Sequence, residues 1–398
     1  MFYCFFVLLV VGLLVLFVSC IFNMKFFVCF GLFCAGLISS QPVSDSNSLR
    51  LISVFLRHGA RTPELRDVYP NDPHKLETFQ PMGWGQLTNH GKSMAFTLGK
   101  SLRNRYNKFL GDIYLPEAVF TQSTDYDRTK MSALLALAGL FPPAKAQKWN
   151  EQLEWQPIPF DYEKDHRDFV LKRPNTYCPT YMKELEEVLQ SDDVLAYIKS
   201  KRETFHYIAN HTGKPINKLS DIFQIYQTLT AEKTLNLTLP EWTKKVYPEE
   251  ITKIAAKQCE MENANDVLKK LNGGRMLRKV IDNMVAKTEG TLHPHERKIF
   301  IYSGHENNVI NILAAMGLYE THFPNYSSAV LVELHYLRSR QDYAVKVSYI
   351  RDVYKTPEDL NLAKCDVLCP LNTFISLTEK HVPKNYTEEC DSPINLDQ

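Results

Sequence analysis

Arg57-His58-Gly59-Ala60-Arg61-Thr62-Pro63 sets a histidine between two arginines. Arg128 follows Ser123-Thr124-Asp125-Tyr126-Asp127, and His305-Glu306 follows Ser303-Gly304. If these segments converge, the pocket holds Arg57, Arg61 and Arg128 beside His58, His305 and Glu306. Three guanidiniums repel one another unless a dense anion joins them, and their planar forks match phosphate oxygens two at a time. A carboxylate ligand needs one such fork, whereas a phosphoryl group with three equatorial oxygens uses three. One histidine can attack phosphorus as a neutral imidazole, and neighbouring arginine charges lower its pKa and keep it unprotonated in mildly acidic medium. The second histidine can hydrogen-bond phosphoryl oxygens, and a protonated Glu306 can deliver a proton to the leaving alcohol. The arginines supply the positive charge that magnesium provides in other sites, so this chemistry calls for no metal and no cofactor.

Each of these segments needs a positioning element, and the surrounding pattern provides one. Residues 49–56 form an apolar, β-rich run that stops at Arg57 and predicts a buried strand feeding a polar loop. Thr88 can cap a helix in which Met94, Ala95, Leu98, Leu102 and Tyr106 recur at helical spacing. Residues 118–123 read as a second strand, followed by a helix from about residue 130 to 140 and closed by Phe141-Pro142-Pro143. Residues 298–302 read as a strand, and Ser303-Gly304-His305-Glu306 opens a helix to Met316. Residues 329–337 and 343–351 alternate like paired strands. In open α/β sheets, ligands bind beyond the carboxyl ends of the strands, so loops after Leu56, Ser123 and Tyr302 are expected to share one pocket.

The stretch 149–289 has another texture, mostly helical and charged, with breaks expected at Pro174, Pro240 and Asn272-Gly273-Gly274. The expectation is an α/β catalytic core over 41–148 and 290–398, carrying a helical insertion over 149–289. Residues 1–40 form a hydrophobic leader whose only charge is Lys25. Met24 and Lys25, the apolar run 26–38 and Ser39-Ser40-Gln41-Pro42 make a complete secretory signal. The earlier run 2–22 is long enough to span a bilayer; it reads as an extension upstream of Met24, with a retained signal anchor as the alternative.

Composition excludes several function classes. Lys plus Arg total 46 against 45 Asp plus Glu, a net charge of +1, so no basic field points to nucleic acid. Hydrophobic residues at 44% and charged residues at 23% fit an ordinary globular chain. Outside the leader, the cysteines are Cys178, Cys259, Cys365, Cys369 and Cys390, an odd number that implies two bridges and a spare thiol in an oxidising compartment. Asn210, Asn236, Asn325 and Asn385 each open an N-x-S/T acceptor site, which fits a secreted glycoprotein. A zinc-protease reading of His305-Glu306 fails because Val309 stands where the second histidine is required. His293-Pro294-His295 lacks partner carboxylates and reads as loop, and neither a Walker sequence nor a dinucleotide-binding glycine loop is present.

The run from Arg57 to Pro63 resembles the signature of the histidine acid phosphatases. Gly85-Gln86-Leu87-Thr88 with Gly91, Leu98-Gly99 with Leu102-Arg103, Ser123 to Thr129, and Ser303 to Glu306 agree in order. The resemblance is closest to secreted and lysosomal animal acid phosphatases, particularly insect and venom forms. It implies a phosphoglycerate-mutase-like α/β core with a central mixed sheet flanked by helices, plus a helical inserted domain. It implies that His58 becomes phosphohistidine, that Arg57, Arg61, Arg128 and His305 bind phosphate, and that Glu306 stands at the proton-donor position, where many members have Asp. It implies the bridges Cys178–Cys390 and Cys365–Cys369, and a homodimer. The expected protein is a secreted acid phosphatase acting on small-molecule or phosphopeptide phosphomonoesters, with a lysosomal or membrane-anchored location as alternatives. An inositol-polyphosphate phosphatase and a weakly active phosphate-ligand-binding protein are the rival functions.

Overall fold

The computed structural model describes residues 48–174 and 177–396; the leader expected over 1–40 lies outside the described residues. β1 (Leu49–Arg57), β2 (Val119–Ser123), β3 (Asp161–Tyr162), β4 (Ile299–Gly304), β5 (Ala329–Leu337), β6 (Asp342–Ile350) and β7 (Glu358–Leu360) form a mixed sheet in the order β3-β2-β4-β1-β5-β6-β7. β8 (Cys369–Pro370) adds to β6. The half containing β3, β2, β4 and β1 is parallel; β5, β6 and β7 continue it antiparallel.

β1 is apolar on consecutive residues because both of its faces are covered. Leu51 and Phe55 join one core with Phe300 and Tyr302 of β4, while Ile52, Val54 and Leu56 join the other with Ile299 and Ile301. On the second face lie α1 (Asn89–Leu110) and α2 (Asp127–Leu140), through Leu98, Leu102, Tyr106, Ala136, Leu137 and Leu140. Thr88 caps α1, its hydroxyl accepting from the Gly91 amide at 3.0 Å, as the sequence predicts. α2 begins at Asp127 rather than near residue 130, which brings Arg128 into its first turn.

The helical region holds α3 (Pro179–Leu189), α4 (Asp192–Ser200), α5 (Arg202–Thr212), α6 (Leu219–Thr234) and α7 (Glu249–Met261). They share a separate core built on Phe205, Ile208, Ile222, Ile225, Leu229 and Ile254. Two expectations about this stretch are corrected. The described residues between 149 and 178 contain no α-helix, mostly loop with the short β3, because Pro157, Pro159 and Pro174 interrupt an α-helical hydrogen-bond ladder there. Asn272-Gly273-Gly274 breaks nothing: it lies inside the continuous α8 (Asp266–Glu289). A Cβ on Gly273 would stand 2.1 Å from the Asn311 carbonyl oxygen, and one on Gly274 2.2 Å from that of His381. The glycines serve close approach of α8 to its neighbours.

α8 also packs Met276, Leu277, Val280 and Met284 on the first sheet face, beside Val309, Ile312 and Leu313 of α9 (Glu306–Ala315). We therefore propose that the inserted region ends before Asp266, and that α8 belongs to the core. After the sheet come α10 (Leu371–Thr378) and α11 (Tyr386–Glu389). Cys178 is bonded to Cys390 and Cys365 to Cys369, and Cys259 is a buried free thiol on α7. No described helix is long and apolar enough to cross a membrane.

Candidate active site

The register of the parallel strands sets the site. Arg57 pairs with Gly304, and Ser123 pairs with Ser303, so β1, β2 and β4 end level with one another. The His58 amide donates to the Gly304 carbonyl at 2.9 Å, and the Thr124 amide to that of Ser303 at 3.1 Å. His58, Thr124 and His305 consequently leave the sheet side by side. The His58 loop is pressed onto the start of α1: a Cβ on Gly59 would meet the Gly91 carbonyl oxygen at 2.1 Å, and one on Gly91 that of Ala60 at 2.0 Å. The Gly59 amide donates to Ser132 Oγ of α2 at 3.1 Å, fixing the loop from another side.

A cavity of about 310 Å³ lies over these strand ends, with His58, Arg61, Arg128, His305 and Glu306 among the residues lining it. The His58 ring pairs Nδ1 with the Gly59 carbonyl at 2.8 Å, where Nδ1–H donates, which leaves Nε2 without a proton, as an acceptor. Nε2 faces Arg128, whose Nε–H donates to it at 3.2 Å. Burial, followed by the charges of Arg128, Arg57, His305 and Arg61, holds the His58 pKa well below its ordinary value. His305 is lowered for the same reasons, burial first and Arg128 next; its Nε2 meets the Thr124 hydroxyl at 3.1 Å and its ring meets His58 edge-on at 5.5 Å. Both imidazoles are therefore neutral in mildly acidic medium.

The arginines are held differently. Arg128 pairs its Nη2 with Glu64 at 2.8 Å and lies over the Tyr126 ring. Arg61 donates to the Thr62 carbonyl at 2.9 Å and stands 3.7 Å from Asp67. Arg57 is buried and does not line the cavity; it donates to the Pro324 carbonyl at 2.6 Å, stacks over Tyr326, and approaches Glu306 at 3.2 Å. That contact is a meeting of charges without hydrogen-bond alignment, and it leaves Arg57 Nε and Nη2 buried with no hydrogen-bond partner.

Glu306 opens α9 with its carboxyl facing the pocket. Burial would raise its pKa, but Arg57 first, then His305, the helix-start amide and Arg173, bring it down to about 2. Arg57, the strongest of these lowering influences, is the cation that decides the balance. In the ligand-free pocket Glu306 is ionised, whereas the sequence reading requires it protonated.

Several pocket residues carry no sequence signal strong enough to find them. Gln227 of α6 donates from Nε2 to Glu306 Oε1 at 2.9 Å and accepts from Arg61 Nη2 at 3.4 Å. Glu64 and Asp67 face Arg128 and Arg61. Arg173 stands across the cavity, paired with Glu262 at 3.3 Å and with Asn307. A glutamine within the apolar run Ile225 to Leu229 is the one hint of a buried polar contact.

A pocket with two imidazoles of lowered pKa, several guanidiniums and a carboxyl at a helix start suits the binding and transfer of a phosphoryl group. The sequence matches the Histidine phosphatase superfamily (branch 2) over residues 48–256 and 202–350. The chain belongs to that family. It is 40% identical to the venom acid phosphatase Acph-1 of Apis mellifera over 360 residues, 89% of this chain and 90% of that protein. Identity is 33% to the lysosomal acid phosphatase of Rattus norvegicus, over 88% of this chain and 82% of that one. It is 31% to the prostatic acid phosphatase of Homo sapiens, over 87% and 88% respectively. Among solved structures, the phytase of Citrobacter braakii shares the fold, with a TM-score of 0.66, 16% identity, and 86% of this chain and 99% of that one covered.

Among the described residues, no cluster of three or more His, Cys, Asp and Glu is arranged to hold a metal ion. Of the glycan acceptor positions, Asn210, Asn236 and Asn325 are exposed, and Asn385 is half-buried as the cap of α11.

Proposed function

We propose that this chain is an acid phosphatase that hydrolyses phosphomonoesters through a phosphohistidine at His58. The observation that carries the reading is the His58 ring, locked through Nδ1–H with Nε2 unprotonated and aimed into a pocket lined by Arg61 and Arg128. In the first step Nε2 attacks phosphorus in line, the P–O bond to the alcohol breaks, and Glu306 gives its proton to the departing oxygen. In the second, Glu306 takes a proton from water, whose oxygen attacks phosphorus and releases His58. Arg61, Arg128 and His305 bind the equatorial oxygens, and Arg57 acts from behind Glu306.

Glu306 must then gain a proton that the empty pocket denies it. A bound phosphoryl group supplies the reason: at about 5 Å and an effective dielectric near 20, each of its charges raises the cost of ionising Glu306 by about 3 kcal/mol, or about two pH units. Dianionic substrate thus brings the carboxyl from about 2 into the acid working range. The relatives named for venom and for lysosomes support secretion or lysosomal delivery, which agrees with the leader, the disulfides and the exposed acceptor asparagines.

The test is hydrolysis of p-nitrophenyl phosphate from pH 4 to 8, with and without EDTA, beside inositol hexakisphosphate. EDTA-resistant turnover with an acid optimum, lost in His58→Ala, is the expected result. Turnover retained by His58→Ala refutes the mechanism. Preference for the inositol ester redirects the substrate class, and vanadate binding without turnover redirects the reading to a phosphate-binding protein.

A further inference from the structure

Among the residues that helix α6 brings to the cavity, one has a side chain whose two ends do opposite things. Gln227 is buried, and its amide nitrogen donates to Glu306 Oε1 while its carbonyl oxygen accepts from Arg61 Nη2. The orientation is dictated by its neighbours: a reversed amide would set oxygen against a carboxylate and NH₂ against a guanidinium. Its sequence neighbour Thr228 donates from Oγ1 to the Asp67 carbonyl at 2.9 Å, and Asp67 is the carboxylate beside Arg61. α6 therefore holds the Arg61 loop at adjacent positions and the Glu306 carboxyl at one of them.

We propose that Gln227 is a positioning residue that orients Glu306 for proton transfer and couples it, through Arg61, to the helical region. The inference rests on the donor role of Glu306 given above. Glutamine serves both contacts at any pH: glutamate has a donor only when protonated, and leucine lacks both groups. The other charged or titratable groups around Glu306 are Arg57 from β1, His305 beside it, Arg173 across the cavity and Cys259 of α7. Arg61, Arg128 and Asp67 also interact with it electrostatically. Of all these neighbours, Gln227 is the uncharged one that hydrogen-bonds the carboxylate, so replacing it alters orientation and proton affinity without removing a phosphate ligand.

The experiment compares the kcat pH profiles of wild type, Gln227→Glu and Gln227→Leu on p-nitrophenyl phosphate and on glycerol 2-phosphate. The alkyl leaving group needs a proton far more than nitrophenolate does. Gln227→Glu sets a second carboxyl against Glu306, so the alkaline limb is expected to move up by about one pH unit. Gln227→Leu is expected to lose about thirtyfold in kcat on the alkyl ester and about threefold on the aryl ester, with KM changed less than threefold. If both variants melt as wild type does and their profiles and alkyl-to-aryl ratios match it, the inference is overturned. Should Gln227→Glu fail to fold, the alkyl-to-aryl ratio of Gln227→Leu decides alone. Glu306→Gln separates the two levels: an unchanged ratio there removes the donor reading itself, while a selective alkyl loss there, without one in Gln227→Leu, removes only the role of Gln227.

Discussion

Arg128 offers the most demanding test of how the pocket holds phosphate, because removing it exposes a carboxylate that it now covers. Its guanidinium donates to His58 Nε2, lies over Tyr126 and binds Glu64 at 2.8 Å. In Arg128→Ala, two charge-assisted hydrogen bonds to the transferring phosphoryl group are lost, at about 1.5–3 kcal/mol each. At about 1.4 kcal/mol per tenfold, kcat/KM falls by about 10² to 10⁴. Part of that loss belongs to Glu64. Its carboxylate keeps Arg66 at 2.8 Å, but Arg66 is largely exposed and screened by water, so Glu64 now repels the substrate. At about 7 Å and a dielectric near 20 this repulsion costs about 2 kcal/mol per charge. The double variant Arg128→Ala/Glu64→Gln is therefore expected to be at least about thirtyfold faster than Arg128→Ala, a non-additivity readable in a two-residue cycle. The assay is kcat/KM on p-nitrophenyl phosphate at pH 5, with vanadate inhibition as a measure of anion binding. Arg128→Ala within fivefold of wild type would falsify the assignment of Arg128 as a phosphate ligand. A double variant no faster than the single one would refute the account of Glu64.

Burial raises the Asp67 pKa to about 6, so at acid pH the residue is neutral and releases Arg61 for the substrate. Asp67→Asn is expected to lower KM about threefold to tenfold at pH 7 and to leave it little changed at pH 4.5; equal effects at both values would contradict this. Glu232 on α6 is buried beside Asp72, and burial with that neighbouring charge raises its pKa from 4.5 to about 9. A carboxyl raised in the folded state contributes its full stability below pH 4.5 and loses it as pH climbs towards 9. Glu232→Gln should thus melt close to wild type at pH 4.5 and several degrees above it at pH 8, by thermal unfolding; a constant difference across pH would refute the pairing. Gly91→Ala forces a Cβ to 2.0 Å from the Ala60 carbonyl oxygen and displaces the His58 loop. Activity should fall more than a hundredfold, at a cost of about 1–3 kcal/mol in urea unfolding for the overpacked contact, and retention of activity would contradict the close-approach argument.

The strand–loop pattern makes the pocket end of the sheet legible in the sequence. Runs of apolar residues ending at Arg57, Ser123 and Gly304 are buried on both faces, and parallel strands of that kind must end together once their hydrophobic register is set. Local spacing carried no information on what the other side of the pocket contributes. Gln227, Glu64 and Asp67 become neighbours of the arginines through packing of a loop and a helix far from them in sequence. The orientation of Glu306 was equally invisible, since a carboxyl at a helix start reads the same whether it faces substrate or Arg57. Gly273-Gly274 shows the limit of local propensity. A glycine pair predicts a break in isolation, yet the helix runs through it, and close approach of Asn311 and His381 is the reason glycine stands at both positions.

The carboxylates facing the arginines give the acid preference more than one physical origin. Arg57 meets Glu306, Arg61 meets Asp67, Arg128 meets Glu64 and Arg173 meets Glu262. A pocket with this many guanidiniums and no counter-charge would be costly to fold, because buried like charges are poorly screened. Substrate must therefore exchange protein carboxylates for phosphoryl oxygens. The exchange is easier where a carboxyl can take a proton and stop competing. Asp67 is poised to do so near pH 6, which strengthens substrate binding as pH falls. Glu306 is held ionised by Arg57, so in the proposed mechanism it gains its proton only with the phosphoryl charge beside it, and that protonation would act on the chemical step. Asp67 should therefore shape KM, and Glu306 should shape kcat. Burial and the same arginines lower the His58 pKa, which favours the neutral imidazole that the proposed attack requires.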